Sequence, residues 1–113
     1  MDDNRWPSEW QRGVLDLCVL HILADGPTYG YSIAARLTDA GFADVKGGTL
    51  YPLLKRLEGA GLVDVEWRPG EAGPGRKFYL INTAGRQRLI ALTASWQRYS
   101  TTVTRLLDEG SPS

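Results

Sequence analysis

Residues 62 to 82 limit most tightly what this chain can fold into, because the spacing of apolar residues changes there from a helical period to an extended one. In LVDVEW, Val63, Val65 and Trp67 alternate with Asp64 and Glu66, the period-two signature of a half-buried strand. A second alternating run, RKFYLIN, occupies 76 to 82. Between them lies RPGEAGPG, residues 68 to 75, with three glycines and two prolines. Such a stretch can form only a loop. The two runs are therefore predicted to make a β-hairpin with a long, flexible tip.

On the N-terminal side the period is helical. Ser8 and Gln11 have the S-x-x-Q spacing of a capping box, and the apolar run VLDLCVLHILA then leads to the stop Asp25-Gly26-Pro27. Its second half is apolar almost all round and is expected to be buried on several sides, with His21 satisfied in the core or in an interface. Thr28 is expected to cap a second helix over YGYSIAARLTDA, with Ile33, Ala34 and Leu37 on one face and Gly41 at its end. A third helix is predicted over 50–60, with Thr49 as its cap, Pro52 in its first turn and Gly61 as its stop. Leu50, Leu53, Leu54 and Leu57, at i, i+3, i+4 and i+7, form its buried stripe, leaving Tyr51, Lys55, Arg56 and Glu58 on the other faces.

From Thr83 to about Glu109 the only helix breaker is Gly85, so one helix of roughly 26 residues, about 39 Å long, is expected. Leu89, Leu92, Trp96, Tyr99, Val103 and Leu106 follow one another at steps of 3, 4, 3, 4 and 3. That is a heptad seam, and a seam wants a partner helix. The chain thus divides into a winged unit over 1–82, a pairing helix over 83–109 and a tail at 110–113 expected to be disordered.

Composition excludes several classes. One His and one Cys in 113 residues leave no metal cluster, no disulfide and no Ser-His-Asp or Cys-His arrangement, so neither an enzyme nor a cofactor is expected. GEAGPGRK at 70–77 lacks the Ser or Thr of a phosphate-binding loop and leads into a strand. No apolar run approaches the ~20 residues of a membrane span, and MDDNRW does not begin like a signal peptide. The expected place of work is the cytosol, on the nucleoid. Thirteen basic and thirteen acidic residues cancel, but residues 1 to 27 hold five of the acids and two of the bases. A later face can still be locally basic, since screening limits the reach of distant charges to about 8–10 Å.

Helix, helix, helix, hairpin, long helix is the order of a winged helix-turn-helix with a pairing helix: mainly α with a small β-hairpin. A helix of the third one's size fits the major groove of DNA, N-terminal part foremost. That part carries Thr49 and Tyr51, preceded by Lys46, Gly47 and Gly48. The glycines allow backbone to approach phosphate, Lys46 can neutralise one, and Tyr51 offers a hydroxyl and a flat face. Lys55 and Arg56 suit phosphates. Arg68, Arg76 and Lys77 flank the hairpin tip, as in a wing that reaches the minor groove.

The blocks GPTYGYSI at 26–33, GTLYPLLKRLEGAGLV at 48–63 and GRKFYLINTAGR at 75–86 are similar to those of the PadR family of bacterial transcriptional regulators. The resemblance covers about residues 10 to 100, and the single C-terminal helix looks like the family's short subgroup. It implies a homodimer that binds an inverted-repeat operator and represses transcription until a small effector releases it. It implies that the third helix enters the major groove, that the wing touches backbone or minor groove, and that the first and last helices form the dimer. By position, Tyr29, Tyr31, Thr49, Tyr51, Lys55, Arg76 and Lys77 become DNA contacts, while Glu71 at the wing tip departs from the basic pattern. Trp96, central in the seam, would meet its own copy across a twofold axis, so that a planar aromatic molecule could lie between two indoles. The rival reading keeps the fold but turns the third helix toward a protein partner.

Overall fold

The computed structural model describes residues 6–43, 45–70 and 73–109. Glu71 and the tail at 110–113 lie outside them. Seven elements follow in order: α1 (Ser8–Ala24), β1 (Thr28–Tyr29), α2 (Gly30–Ala40), α3 (Gly47–Gly59), β2 (Val63–Arg68), β3 (Arg76–Ile81) and α4 (Thr83–Glu109). The expected hairpin is widened into a three-stranded antiparallel sheet in the order β1-β3-β2, with Thr28 opposite Tyr79 and Tyr29 opposite Phe78.

The capping box at the start of α1 does not form. Pro7 occupies the cap position and has no N–H for Gln11 to accept. Gln11 turns inward instead: its Oε1 accepts from Trp6 Nε1 at 3.0 Å and from the Ala43 amide at 3.1 Å, and its Nε2 donates to the Ala43 carbonyl at 2.6 Å. Buried backbone groups need partners, and this glutamine holds the loop after α2 against α1. Leu15, Val19, Leu20, Ile22 and Leu23 of α1 are buried as expected, but His21 is exposed and not part of the core.

Thr28 does not cap α2. Its backbone is engaged in the sheet, and the helix begins after Tyr29, which is extended and supplies no side-chain cap. The third helix starts three residues earlier than expected, because the Lys46 carbonyl accepts the amides of Thr49 and Leu50 at 2.9 and 2.7 Å. Thr49 therefore lies inside the first turn and not at its cap. Pro52 falls in the second turn, where it has no N–H to offer the exposed Gly48 carbonyl. Gly41 and Gly61 close α2 and α3 with left-handed backbones, φ +112° and +77°, and the amides of Phe42 and Leu62 bond back to the Leu37 and Leu57 carbonyls.

The four leucines of α3 are buried against α1, Ile33, Leu37, Val45, Val63 and Tyr79. Along β2 burial fades: Val63 is buried, Val65 is half-buried, and Trp67 on the same face is 68% exposed. The alternation that predicted an inward Trp67 fixes its face correctly, but the helical body ends beneath Val65. Asn82 caps α4 by accepting the Gly85 amide at 2.8 Å, and its Nδ2 donates to the Gly61 carbonyl and to Asp64 Oδ1. α4 runs for 27 residues. Leu89 and Leu92 pack against the core, whereas Trp96, Tyr99, Val103 and Leu106 are exposed. The radius of gyration, 16.5 Å, exceeds the roughly 13 Å of a compact chain this long, because the far half of α4 stands clear.

Candidate nucleic-acid interface

Tyr51 leaves the second turn of α3 toward α2, and its ring lies on Gly30. A β-carbon at Gly30 would stand 2.7 Å from Cζ and 2.8 Å from Cε1 of that ring. The glycine of the Tyr-Gly-Tyr sequence is thus the seat of the tyrosine on the neighbouring helix, a role that no spacing rule signals. Around this contact the fold gathers Tyr29, Tyr31, Tyr51, Arg76, Lys77 and Tyr79 into one concavity between α3, the start of α2 and strand β3 of the wing. A second, adjoining groove between α2 and α3 adds Lys46 and Gly47 while sharing Tyr31 and Tyr51. Gly48 and Thr49 are exposed in the first turn of α3, and Lys55 is exposed one turn beyond Tyr51.

The cations at the wing rest on aromatic rings. The Arg76 guanidinium lies 4.6 Å above the Tyr29 ring, and that of Arg68 lies 4.4 Å above Phe78 while pairing with Glu66 at 3.0 Å. Lys77 Nζ lies 3.8 Å from Glu58 Oε1 on α3 and 5.5 Å from the centre of the Tyr79 ring. Both ends of these ion pairs are open to solvent, so each adds at most about 1 kcal/mol. Burial pushes the Tyr79 phenol above its ordinary pKa, and the Lys77 ammonium opposes that shift only in part.

Arg56 does not join this face. Its guanidinium bonds Asp16 of α1 at 2.6 Å, on the far side of α3 from Tyr51 and the wing. It lines an open groove of about 690 Å³ between α1, the end of α3 and α4, together with Arg12, Arg88, Leu92, Trp96 and Tyr99. The Trp96 and Tyr99 rings are 6.2 Å apart. Cys18, half-buried on α1, has its thiol pKa raised by burial. Among the described residues no group of His, Cys, Asp or Glu could hold a metal ion, and no helix is long and apolar enough to cross a membrane.

Three helices, a sheet whose β2–β3 strands project beside α3, and a tyrosine- and lysine-lined opening at the start of that helix define a winged helix-turn-helix. The chain belongs to the PadR-like transcriptional regulator family, whose model matches residues 19–91. It is 40% identical over 81 residues to a transcriptional regulator of Mycobacterium tuberculosis, covering 72% of this chain and 74% of that protein. A PadR-like transcriptional regulator from Bacillus cereus superposes with a TM-score of 0.79 at 36% identity, over 88% of this chain and 96% of that one. A PadR family regulator from Eggerthella lenta gives 0.80 at 37% identity, over 88% of this chain and 86% of that one.

Proposed function

We propose that this protein is a homodimeric, sequence-specific DNA-binding repressor that occupies an inverted-repeat operator and leaves it when a small aromatic or hydrophobic effector binds. The observation that carries the reading is the convergence of Tyr29, Tyr31, Tyr51, Arg76 and Lys77 on one concavity beside the exposed start of α3. In this reading α3 enters the major groove, with Thr49 and Tyr51 at base edges. Gly48 lets the backbone come close to a phosphate, while Lys46 and Lys55 neutralise phosphates on either side. Arg76 and Lys77 carry the wing onto the neighbouring backbone.

The exposed seam of α4, Trp96, Tyr99, Val103 and Leu106, continuing from Leu89 and Leu92, supports pairing with a second copy, and a twofold operator matches a twofold protein. Trp96 lines the groove beside α1, which supports a planar aromatic effector held there or between two copies of the indole. Effector and operator then act on one another through any difference in the spacing of the two reading helices.

The test is binding of the purified protein to DNA from its own upstream region at two salt concentrations, against a random duplex. Selective binding that weakens steeply with salt, by about 0.9 in log-log slope for each neutralised phosphate, is expected. Equal, weak binding to both duplexes by a folded dimer would instead favour a protein partner for the α3 face.

A further inference from the structure

We infer that Trp67 is a DNA contact of the wing, lying flat against the deoxyribose edges of the minor groove next to the major-groove segment read by α3. The inference rests on the DNA-binding reading above and extends it to a residue outside the tyrosine cluster.

Trp67 is 68% exposed although it continues the inward face of β2 set by Val63 and Val65. A tryptophan carries about 150–250 Å² of largely apolar surface, and most of this one is left open to solvent. It is held in register, not on a loose loop: the β2–β3 ladder extends past it to Arg68 opposite Arg76. Its cross-strand partner is Lys77, one of the residues that line the concavity with Tyr31 and Tyr51. Directly opposed residues project from the same face of a sheet. Trp67 therefore extends the aromatic wall of the candidate interface by one strand, toward the outer edge of the wing.

Charge decides which partner fits. Lys77 stands beside the tryptophan on the same face, while Arg68 and Arg76, one step nearer the tip, project from the opposite face over Phe78 and Tyr29. The end of the wing is thus basic on both faces, which suits a polyanion. A flat apolar side chain beside a lysine at the end of a basic wing fits the sugar edges of a groove wall, as apolar wedges do in other minor-groove proteins. The contact reads no base edge, so it contributes to affinity for every duplex and carries no charge to the salt dependence.

Hydroxyl-radical footprinting of the full-length protein on its operator tests this directly, because it reports protection of individual sugars. Wild-type protein should protect sugars at the α3 sites and at the flanking minor grooves. Trp67→Ala should keep the first protection, lose the second, and bind operator and random duplex each about tenfold more weakly, as truncating an interface tryptophan does. Its salt slope should stay unchanged, whereas Lys77→Ala should lower the slope by about one. Trp67→Phe, which keeps a flat ring, should restore most of the flanking protection. A wild-type footprint confined to the α3 sites, or a Trp67→Ala variant with full flanking protection and wild-type affinity, overturns the inference while leaving the repressor reading intact. No operator footprint at all from wild-type protein overturns both.

Discussion

The ring of Tyr51 rests on the α-carbon of Gly30, so closely that a methyl group there would meet the ring at 2.7 Å. Gly30 is the first residue of α2 and does not have a positive φ, so its backbone does not itself call for glycine. The nearest obstacle to a side chain there is the neighbouring tyrosine ring. Gly30→Ala should therefore fold, displace Tyr51, and weaken specific operator binding by about 1–3 kcal/mol, as Tyr51→Ala should. In a double-mutant cycle the two losses should not add, since both act on one ring. Full additivity would mean that Gly30 acts elsewhere.

Lys77 and Arg56 are both basic and both belong to the blocks that resemble the PadR family, yet the fold puts them on opposite sides of α3. Lys77 borders the tyrosine concavity, whereas Arg56 is bonded to Asp16 in the groove beside α4. Lys77→Ala should weaken binding to all duplexes alike. Arg56→Gln should leave DNA affinity and its salt slope close to wild type and cost at most about 1 kcal/mol in stability, since the ion pair is open to solvent. A drop in salt slope with Arg56→Gln would show that its guanidinium leaves Asp16 for a phosphate.

Much of this arrangement is legible in the sequence, and the exceptions share a cause. The α3 leucine stripe, the glycine stops at Gly41 and Gly61 and the length of α4 follow from periodicity and chain stereochemistry, which act locally. Tertiary partners decide the rest. Thr28 and Tyr29 form a strand too short to show a period, and only β3 beside them makes it one. Gln11 exchanges a local cap for the Ala43 backbone. Alternation assigns Trp67 to the inward face, but where the core ends beneath that face depends on how far α3 reaches. Arg56 and Lys55 are adjacent in sequence, and one residue of helical rotation, about 100°, separates a groove-facing side chain from one on the Tyr51 side.

Asn82 joins three parts of the molecule with one side chain: it caps α4 through the Gly85 amide and holds the Gly61 carbonyl and Asp64. Loss of a cap costs about 0.5–2 kcal/mol. Asn82→Ala should lie toward the upper end, because Gly61 and Asp64 lose their partner too, and a thermal melt at fixed protein concentration should fall by several degrees. Asn82→Asp keeps the cap acceptor but sets a second carboxylate against Asp64, so it should recover only part of the loss. A melt unchanged in Asn82→Ala would mean that the start of α4 is held by packing alone.

Burial raises the pKa of Cys18 above its ordinary 9.0 and that of Tyr79 above its ordinary 10.0. In the unfolded chain both protons leave at the lower, ordinary values. The stabilisation is therefore complete below about pH 9 and declines as pH rises through the unfolded and then the folded values. Urea midpoints should be lower at about pH 10.5 than at about pH 8, and Cys18→Ala should remove the earlier part of the decline. A midpoint that does not move would mean that both groups are as solvated in the fold as in the open chain.

The apolar seam of α4 is open to solvent in the single chain. Leu106 is 66% exposed in the single chain and Tyr99 64%, so a charge at Leu106 costs the isolated protomer almost nothing. If two copies pair along this seam, Leu106→Asp buries a carboxylate in an apolar interface. It should shift sedimentation toward monomer at micromolar concentration while leaving the far-ultraviolet dichroism of the folded unit in place. Trp96→Ala, nearer the body of the protein, should also weaken pairing, and it should abolish the quenching of tryptophan fluorescence by planar aromatic dyes that the wild type is expected to show. Equal quenching in Trp96→Ala would remove the indole from the effector site. A Leu106→Asp protein that sediments like wild type would remove the seam from the dimer.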